Sequence, residues 1–166
     1  IARDGRAVWF GQNVQLILEG KDVTGFHAVT RDITERKIME GALLESEKRF
    51  RTAFDSAPIG MALVSLEGEF TQLNRALCAI VGYTESELVG KTFQEITYPD
   101  DLETDLAYVR QMLAGDILTY QMEKRYYRHN GSIVWVRLSG SLLRDENGAP
   151  RSFIAQIEDI NEWKSV

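Results

Sequence analysis

Two stretches in which apolar and polar residues alternate dominate the hydrophobic pattern of this chain. The first covers residues 6–18 and 24–33, on either side of the turn Glu19-Gly20-Lys21-Asp22. The second covers residues 131–143 and 150–158, on either side of a turn that contains Asn-Gly. A period of two predicts strands, and a short Gly-containing turn between two such strands predicts an antiparallel hairpin. The sequence therefore predicts one hairpin near each end of the chain.

The two hairpins are similar enough to be copies of one unit. Trp9 returns as Trp135 and Asp32 returns as Asp159, with one residue's difference at the turn. In each copy the Asp begins a helix pattern, because its side chain can accept from backbone N–H groups while a Glu three residues later reaches back to the cap. The residues predicted to form these two strand–helix junctions are Asp32, Thr34, Glu35, Asp159, Asn161 and Glu162.

A connecting helix is predicted over residues 34–54, which are rich in good helix formers. Its apolar residues recur at spacings of three and four, which is compatible with a coiled-coil seam or with packing on a domain surface. The alternative is an amphipathic linker with no partner of its own. We expect a homodimer, formed through this helix, the first hairpin or both, since a lone hairpin is marginal in water. The candidate residues of the dimer helix are Met39, Leu43, Phe50 and Phe54.

Between the hairpins the pattern alternates short strands and short helices. Ala57-Pro58 breaks the connecting helix, and Asn74 is placed to cap the first short helix. Strands at both ends with helices between them predict an α+β fold, with helices on one face of an antiparallel sheet. The predicted elements are strands 59–66 and 70–73, helices 75–81, 84–90, 91–97 and 99–113, and strand 118–128.

Composition and charge narrow the possible classes of function. The chain has 166 residues, of which 25 are acidic and 19 basic, giving a formal net charge of −6. Nucleic acids and anionic membranes are bound through basic faces, so neither is an expected partner. The one cysteine cannot form an intrachain disulfide, and no run of about 20 apolar residues is present. We therefore expect a cytoplasmic module, although a parent protein could be anchored to a membrane elsewhere.

Several short motifs together resemble the PAS family, the sensory modules of bacterial signalling proteins. Each motif is weak alone, and their order and spacing carry the resemblance over residues 47–162 and again over 1–36. Two positions depart from the usual pattern, since Tyr98 stands where His is common and Asn161 stands where Thr is common. The motifs are Phe54–Gly60, Asn74–Ala76, Gly82–Gly90, Tyr98–Leu102, Asn130–Val136 and Asp159–Glu162.

The resemblance implies a domain organisation and a mechanism. Residues 1–33 would be the C-terminal hairpin of an upstream, truncated PAS domain, and residues 34–54 the connecting helix. Residues 55–162 would be a complete PAS domain with a five-stranded antiparallel sheet, and residues 163–166 would begin an outgoing linker. The helix that follows Asp-Ile-Thr conveys signal in such proteins, so a shift in the last strand is expected to alter the helix after it.

The family also implies a ligand cavity between the sheet and the helices. Alternation along the strands predicts which side chains face it. The alternative is that these bulky side chains simply fill the interior, and for Asn74 a role as a helix cap is favoured over a role in the pocket. The candidate pocket residues are Met61, Leu63, Asn74, Leu77, Val81, Phe93, Ile96, Val109, Met112, Tyr120, Met122, Tyr126, Val136, Leu138, Phe153, Ala155 and Ile157.

Cofactor and catalytic sites are not expected. Flavin-binding PAS domains that respond to light carry a cysteine where this chain has Phe93, and Cys78 lies on an earlier, apolar helix. PAS haem sensors commonly use a His ligand, whereas His27 and His129 lie in a strand and a turn. No phosphate-binding loop, nucleophile elbow or metal-binding spacing is present. Neither an enzyme nor a metal protein is predicted.

The sequence thus predicts a sensory or signal-relay PAS module that regulates a downstream histidine kinase or diguanylate cyclase. It would act by small-molecule sensing, by dimerisation or by both. The alternative is a ligand-free dimerisation and relay domain with a filled core. The two alternatives differ in the volume of the interior cavity, since ligand pockets enclose a few hundred cubic ångströms.

Overall fold

The computed structural model describes residues 1–164, and the chain divides into two compact units. The first unit covers residues 1–51 and the second begins at Thr52. The prediction that residues 163–166 begin an outgoing linker falls partly outside the described residues, because residues 165 and 166 are not among them. Among the described residues, no helix is long and apolar enough to cross a membrane.

The first unit contains an antiparallel hairpin and most of a long helix. Strands β1 (Phe10–Glu19) and β2 (Asp22–Asp32) pair in register, with an irregularity after Ile17. Helix α1 follows at Thr34–Ser56. The prediction that the first strand begins at residue 6 is wrong. Strand β1 begins at Phe10 because its partner β2 ends at Asp32, so residues 6–9 have no strand opposite them.

The second unit is an α+β domain. A strand pair opens the domain, helices follow, and three long strands close it. The strands are β3 (Gly60–Val64), β4 (Phe70–Leu73), β5 (Thr119–Tyr127), β6 (Ile133–Arg144) and β7 (Pro150–Asp159). The helices are α2 (Arg75–Val81), α3 (Glu85–Leu88), α4 (Phe93–Ile96), α5 (Pro99–Leu113) and α6 (Asn161–Lys164).

These strands form the predicted five-stranded antiparallel sheet, and their order in the sheet is β4-β3-β7-β6-β5. One face of the sheet is covered by helices and forms the core. Inward side chains at alternate positions, such as Ala62, Val136 and Ile157, are fully buried against Leu77 of α2 and Leu88 of α3. The hydrophobic effect on this single face holds the domain together.

Hydrogen bonds at the helix ends explain why helices as short as α3 and α4 form. Asn74 caps α2, and Gly82 ends α2 in the left-handed conformation with φ 73°. Thr84 forms a reciprocal capping box with the first turn of α3, as predicted, and Thr92 forms another at α4. Each cap satisfies backbone N–H groups that a four-residue helix cannot satisfy internally.

The orientation predicted for strand β3 is wrong. Met61 and Leu63 are half-buried and lie on the outer face of the sheet, whereas Ala62 and Val64 face the core. Gly60 packs tightly against the backbone of Leu77 in α2. The alternate residues of the same strand, Ala62 and Val64, therefore also face the helices. The strand is apolar on both faces, so its hydrophobic pattern does not distinguish the two orientations.

The connecting helix exposes most of the predicted dimer residues. Met39, Leu43 and Phe50 are each more than half exposed. Phe54 is buried in the second unit, and its carbonyl accepts a hydrogen bond from the Asn74 side chain at 2.8 Å. The prediction that Phe54 belongs to a dimer seam is therefore wrong, because its side chain is packed inside its own domain.

Candidate functional site

The strand–helix junction of the first unit is closed by four hydrogen bonds. The Trp9 N–H donates to Thr34 Oγ1 at 2.9 Å, and the Ile33 N–H donates to the Trp9 carbonyl at 2.9 Å. Asp32 Oδ1 accepts from the Thr34 N–H at 3.0 Å and from its hydroxyl at 2.6 Å. The Thr34 hydroxyl, followed by its backbone N–H, holds the pKa of Asp32 below its usual value. The start of α1 is thus hydrogen-bonded to Trp9, the residue that immediately precedes β1.

The second unit repeats this junction. The Trp135 N–H donates to Asn161 Oδ1 at 3.2 Å, and the Ile160 N–H donates to the Trp135 carbonyl at 3.0 Å. Asp159 Oδ1 accepts from the Asn161 N–H at 2.9 Å. Asn161 therefore performs the part that Thr34 performs in the first junction, since both side chains present an oxygen to a tryptophan N–H. The departure from the usual Thr at this position preserves the contact.

The predicted capping boxes differ from the junctions observed. Asp32 and Asp159 both accept from the residue two positions later. Among the described residues, neither the Glu35 nor the Glu162 carboxylate accepts a hydrogen bond from the backbone N–H of its Asp, as a capping box requires. Asp followed two residues later by a backbone donor is a local turn that needs no Glu. The observed pairing is therefore Asp with the Thr or Asn two residues later, which in turn accepts from a tryptophan N–H.

Trp135 also links the outer face of the sheet to α6. The guanidinium of Arg125 lies 4.9 Å from the Trp135 ring centre, and the ammonium of Lys164 lies 4.8 Å from it. Lys164 in turn pairs with Glu123 at 2.6 Å. Cations placed over an indole ring are attracted by its electron-rich face. The first turn of α6 is thus held against β5 and β6 by side chains as well as by the junction.

Arg125 connects the same face to α5. Asp101 accepts from the Arg125 guanidinium at 2.9 and 2.8 Å and from its backbone N–H at 2.9 Å. Tyr98 lies against the other side of the guanidinium, 4.0 Å away, which gives this tyrosine a structural role. The side-chain hydrogen bonds between Asp101 and Arg125 lower the pKa of Asp101 and raise the pKa of Arg125. The outer face thus carries a continuous series of contacts from α5 to α6.

The interior contains an ion pair that the sequence analysis missed. Lys124 and Asp105 are each 1% exposed, and the Lys124 ammonium donates to Asp105 Oδ2. Lys124 also donates to Thr97 Oγ1 at 3.2 Å, and the Tyr120 hydroxyl donates to Asp105 Oδ1 at 2.7 Å. The ammonium lies 4.5 Å from the ring centre of Tyr126. We call Lys124, Asp105 and Tyr120 the internal ionic cluster.

A sequence signal for this cluster exists. Tyr120, Met122 and Tyr126 were predicted to face inward. Lys124 lies on the same face of the strand, two residues after Met122, but it was not included among the predicted inward residues. Charged residues are rarely buried, so strand alternation was not applied to the lysine. The Asp105 partner could not be found in this way, because its burial depends on how α5 packs.

Burial and neighbouring charge shift the proton affinities of the cluster. Burial acts to lower the pKa of Lys124, but Tyr126 and Asp105 outweigh it and raise the pKa above its usual value. Burial first, and then the Asp105 carboxylate, raise the pKa of Tyr120. Lys124 is therefore a cation, and Tyr120 is a neutral hydrogen-bond donor. Both donate to the Asp105 carboxylate.

The cluster lies beside a small internal cavity. Its volume is about 30 Å³, which is the scale of a single water molecule. The predicted pocket residues that line it are Phe93, Val109, Met112, Tyr120, Tyr126, Leu138, Phe153 and Ala155. Residues that sequence analysis did not propose also line it, namely Val64, Phe70, Asp105, Lys124, Gly140 and Ile154.

The other predicted pocket residues lie elsewhere. Asn74 is completely buried, and its side chain is saturated by Met61, Leu77, Phe54 and Ile59 backbone groups, so it is a structural cap. Met61 and Leu63 are on the outer face, as described above. The remaining predicted residues belong to the packed core without reaching the cavity: Leu77, Val81, Ile96, Met122, Val136 and Ile157.

The candidate reactive side chains are ordinary in their surroundings. Cys78 is half-buried, and burial followed by the charge of Glu85 raises the pKa of its thiol. A thiol in this state is protonated at neutral pH and is a poor nucleophile. His27 and His129 are exposed. Within residues 1–164, no group of three or more His, Cys, Asp or Glu side chains could hold a metal ion.

Comparison with known proteins gives a consistent result. The sequence pattern of the PAS fold family matches residues 70–157. The chain is 54% identical over 120 residues to the probable diguanylate cyclase DgcE of Escherichia coli, an alignment that covers 72% of this chain and 11% of that protein. It is 33% identical over 139 residues to the C4-dicarboxylate transport sensor protein DctS of Rhodobacter capsulatus, covering 82% of this chain and 21% of that protein.

Solved structures show the same fold. The PAS domain of an HTR-like protein from Haloarcula marismortui superposes with a TM-score of 0.60 at 28% identity, covering 75% of this chain and 99% of that one. A PAS domain from Colwellia psychrerythraea superposes with a TM-score of 0.64 at 20% identity, covering 69% of this chain and 97% of that one. The chain spans only a small part of the curated relatives it matches.

Proposed function

This chain belongs to the PAS family of signal-sensing modules, and from that premise we propose that it relays a signal to a downstream output domain through the junction of β7 and α6. The observation that carries the proposal is the repeated junction. Two segments of different sequence close the same three hydrogen bonds: a tryptophan N–H to a side-chain oxygen, an isoleucine N–H to the tryptophan carbonyl, and a backbone N–H to the Asp carboxylate. The same contact is made by Thr34 in one junction and by Asn161 in the other, which supports a role for this geometry in the relay.

The junction supplies a physical route for the relay. The residue that begins α6, Asn161, is bonded to the backbone of Trp135 on β6, and Ile160 is bonded to the same residue. A displacement of β6 against β7 therefore breaks or reorients the first turn of α6. Lys164 adds a second attachment through Trp135 and Glu123. Any change that moves the sheet is passed to the outgoing helix.

The proposed output domain is a diguanylate cyclase, with a histidine kinase as the alternative. The 54% identity to DgcE supports the cyclase. The alternative is supported at lower identity by the sensor histidine kinase TmoS of Ectopseudomonas mendocina, which is 28% identical over 125 residues. The chain itself is proposed to be non-catalytic and to act in the cytoplasm.

We assign strands β1 and β2 to a preceding PAS domain and α1 to the connection between the two domains. The registers of the two hairpins support this assignment, because Phe10 pairs with Asp32 as Val136 pairs with Asp159. A homodimer through α1 is part of the proposal. Its support is the exposure of Met39 and Leu43, which lie one turn apart on the helix.

The module is proposed to work without flavin or haem. A cavity of about 30 Å³ has no room for either cofactor, and drug-sized ligands occupy pockets roughly ten times larger. In the conformation described, the core is therefore nearly filled. An absorbance spectrum of the purified protein tests the absence of flavin and haem, since either cofactor would give bands in the visible region.

The decisive experiment changes Asn161 in the parent protein that contains this chain. Asn161→Ala removes the oxygen that accepts from Trp135, and we expect output activity to lose its dependence on stimulus. Asn161→Thr is the matched control, because Thr34 makes the same contact in the first junction, and it is expected to retain regulation. Normal regulation in a folded Asn161→Ala protein would show that the junction does not carry the signal.

A further inference from the structure

The internal ionic cluster is an unexpected way to hold a small domain together. Taking two charges out of water costs more than their attraction returns unless the geometry is very good, and an apolar pair of similar volume is often at least as stable. Lys124 and Asp105 are nevertheless both buried in the middle of an apolar core. Their presence therefore calls for a role other than stability, and perturbed groups inside a cavity are candidates for one.

Helix α5 is attached to the sheet partly through this cluster. Of its 15 residues, only Asp105 and Met112 are buried. Leu102, Leu106 and Val109 are half-buried and pack against the core, and the rings of Tyr108 and Tyr120 stack with their centres 4.9 Å apart. One of the two buried side chains of α5 is thus a carboxylate and not an apolar group. Another carboxylate can take the place of the Asp105 side chain, whereas it could not take the place of a buried apolar side chain.

The cavity beside the cluster is apolar on every other side. Val64, Phe70 and Phe153 from the sheet line it, and Val109 and Met112 of α5 form a wall. Because α5 forms this wall, its outward movement enlarges the cavity. The space that opens has an ammonium and a phenol at one end and aliphatic or aromatic carbon elsewhere.

We propose that Lys124 and Tyr120 form an internal carboxylate-binding site that Asp105 occupies in this structure, and that small monocarboxylic acids with an apolar tail displace Asp105 from it. The inference rests on the proposed signalling function and supplies the class of ligand. Exchange of one carboxylate for another leaves Lys124 paired. A neutral or cationic ligand would leave a buried ammonium without its counter-charge, which is costly.

The site is connected to the output junction through α5. Asp101 lies one helical turn before Asp105, and it holds Arg125, the neighbour of Lys124 on β5. Since successive strand residues point to opposite faces, α5 grips β5 from both sides of the sheet. Displacement of Asp105 would disturb Arg125, which stacks on Trp135 at the junction.

The test is a titration of the full chain with butyrate, followed by amide chemical shifts and hydrogen exchange in nuclear magnetic resonance. Butanol and butylammonium at equal ionic strength are the controls for tail and charge. We expect butyrate alone to shift the amides of Tyr120 and Lys124 in a saturable manner and to speed exchange along α5. The absence of a saturable response to butyrate in the wild-type chain, or an equal response to butanol, would overturn the inference.

Two variants sharpen the test. Asp105→Asn keeps the shape of the competing side chain without its charge, so butyrate is expected to bind about tenfold more tightly than to the wild type. The double variant Asp105→Leu with Lys124→Met removes the site while keeping it filled, and butyrate is expected not to bind. Equal affinity in the wild type and Asp105→Asn contradicts the displacement. Should Asp105→Asn fail to fold, the wild-type titration decides alone.

The outcome is separable from that of the proposed function. If butyrate does not bind while Asn161→Ala still uncouples the output of the parent protein, the carboxylate site is wrong and the relay stands. If butyrate binds as expected while Asn161→Ala leaves regulation intact, the ligand class stands and the relay through the junction is wrong.

Discussion

The hairpins β1–β2 and β6–β7 have the same register and opposite surroundings. Leu16 pairs with Phe26 in the first as Leu142 pairs with Phe153 in the second. Phe26 is 69% exposed, whereas Phe153 is 6% exposed. The second hairpin lies between β3 and β5 and is covered by helices, whereas the first is a two-stranded sheet. Local sequence therefore suffices for the register of such a hairpin and not for its burial.

The difference has energetic consequences. A hairpin by itself is marginally stable in water, because two strands bury too little apolar surface to offset the entropy of ordering them. The same side chains in a five-stranded sheet are part of a cooperative core. Substitutions at equivalent positions of the two hairpins should thus have unequal effects on the unfolding of the domain, and their sizes test the comparison.

The largest difference is expected at the paired phenylalanines. Phe153→Ala should lower the free energy of unfolding by about 4 kcal/mol, because it leaves a cavity in the core. Phe26→Ala should change it by less than about 0.5 kcal/mol, as is usual for exposed positions. Urea denaturation followed by circular dichroism measures both. Equal losses in the two variants would mean that the first hairpin is covered in solution.

The next effect is expected in the interior that only the second hairpin faces. Asp105→Ala should cost about 3 kcal/mol of unfolding free energy, because it leaves the Lys124 ammonium buried without a partner. The double variant Asp105→Leu with Lys124→Met should unfold within about 1 kcal/mol of the wild type. Thermal and urea unfolding of the same samples provide the measurement. A double variant as unstable as Asp105→Ala would assign the pair a purely structural role.

A smaller and more symmetrical effect is expected at the junctions. Asn161→Ala should lower the free energy of unfolding by about 1 kcal/mol through loss of the hydrogen bond to Trp135. Thr34→Ala should leave that free energy unchanged but speed amide exchange at Ile33, whose N–H bonds the Trp9 carbonyl. Exchange rates from nuclear magnetic resonance report both sites. A global loss in Thr34→Ala would show that the first hairpin unfolds together with the domain.

The smallest effect concerns pH. Hydrogen bonds from Arg125 lower the pKa of Asp101 from its ordinary value of 3.8. The stabilisation is therefore fully present above about pH 4 and is lost as the pH falls through the lowered pKa. Asp101→Asn should lose less stability than the wild type between pH 5 and pH 2, by an amount below about 1 kcal/mol since the pair is partly exposed.

The control for the pH experiment is Asp32→Asn in the first hairpin. The pKa of Asp32 is also lowered, by Thr34, but the residue lies outside the cooperative core. We expect its replacement to leave the acid limb of the unfolding curve unchanged. Acid unfolding profiles that are identical in Asp101→Asn and the wild type would show that the Asp101–Arg125 contact contributes nothing to acid stability.

Some of the site could be predicted because the signals are local. Strand alternation placed Tyr126, Leu138 and Phe153 on the inner face, and their side chains do line the cavity. The same rule also places Lys124 on the inner face, but a lysine is not expected to be buried. It could not have placed Met61, because β3 is apolar on both faces and its orientation depends on the close contact of Gly60 with α2.

The sequence by itself determined the order of elements, the antiparallel α+β class, the repeat and the positions of its two junctions, since caps, turns and alternation act within a few residues of chain. Tertiary structure alone decided that Asp105 pairs with Lys124 across 19 residues, that the cavity shrinks to the size of a water molecule, and that Phe153 is buried where Phe26 is not. These properties depend on which surfaces pack together, because the neighbours of a side chain in the folded protein, and not its residue type alone, determine whether it is buried.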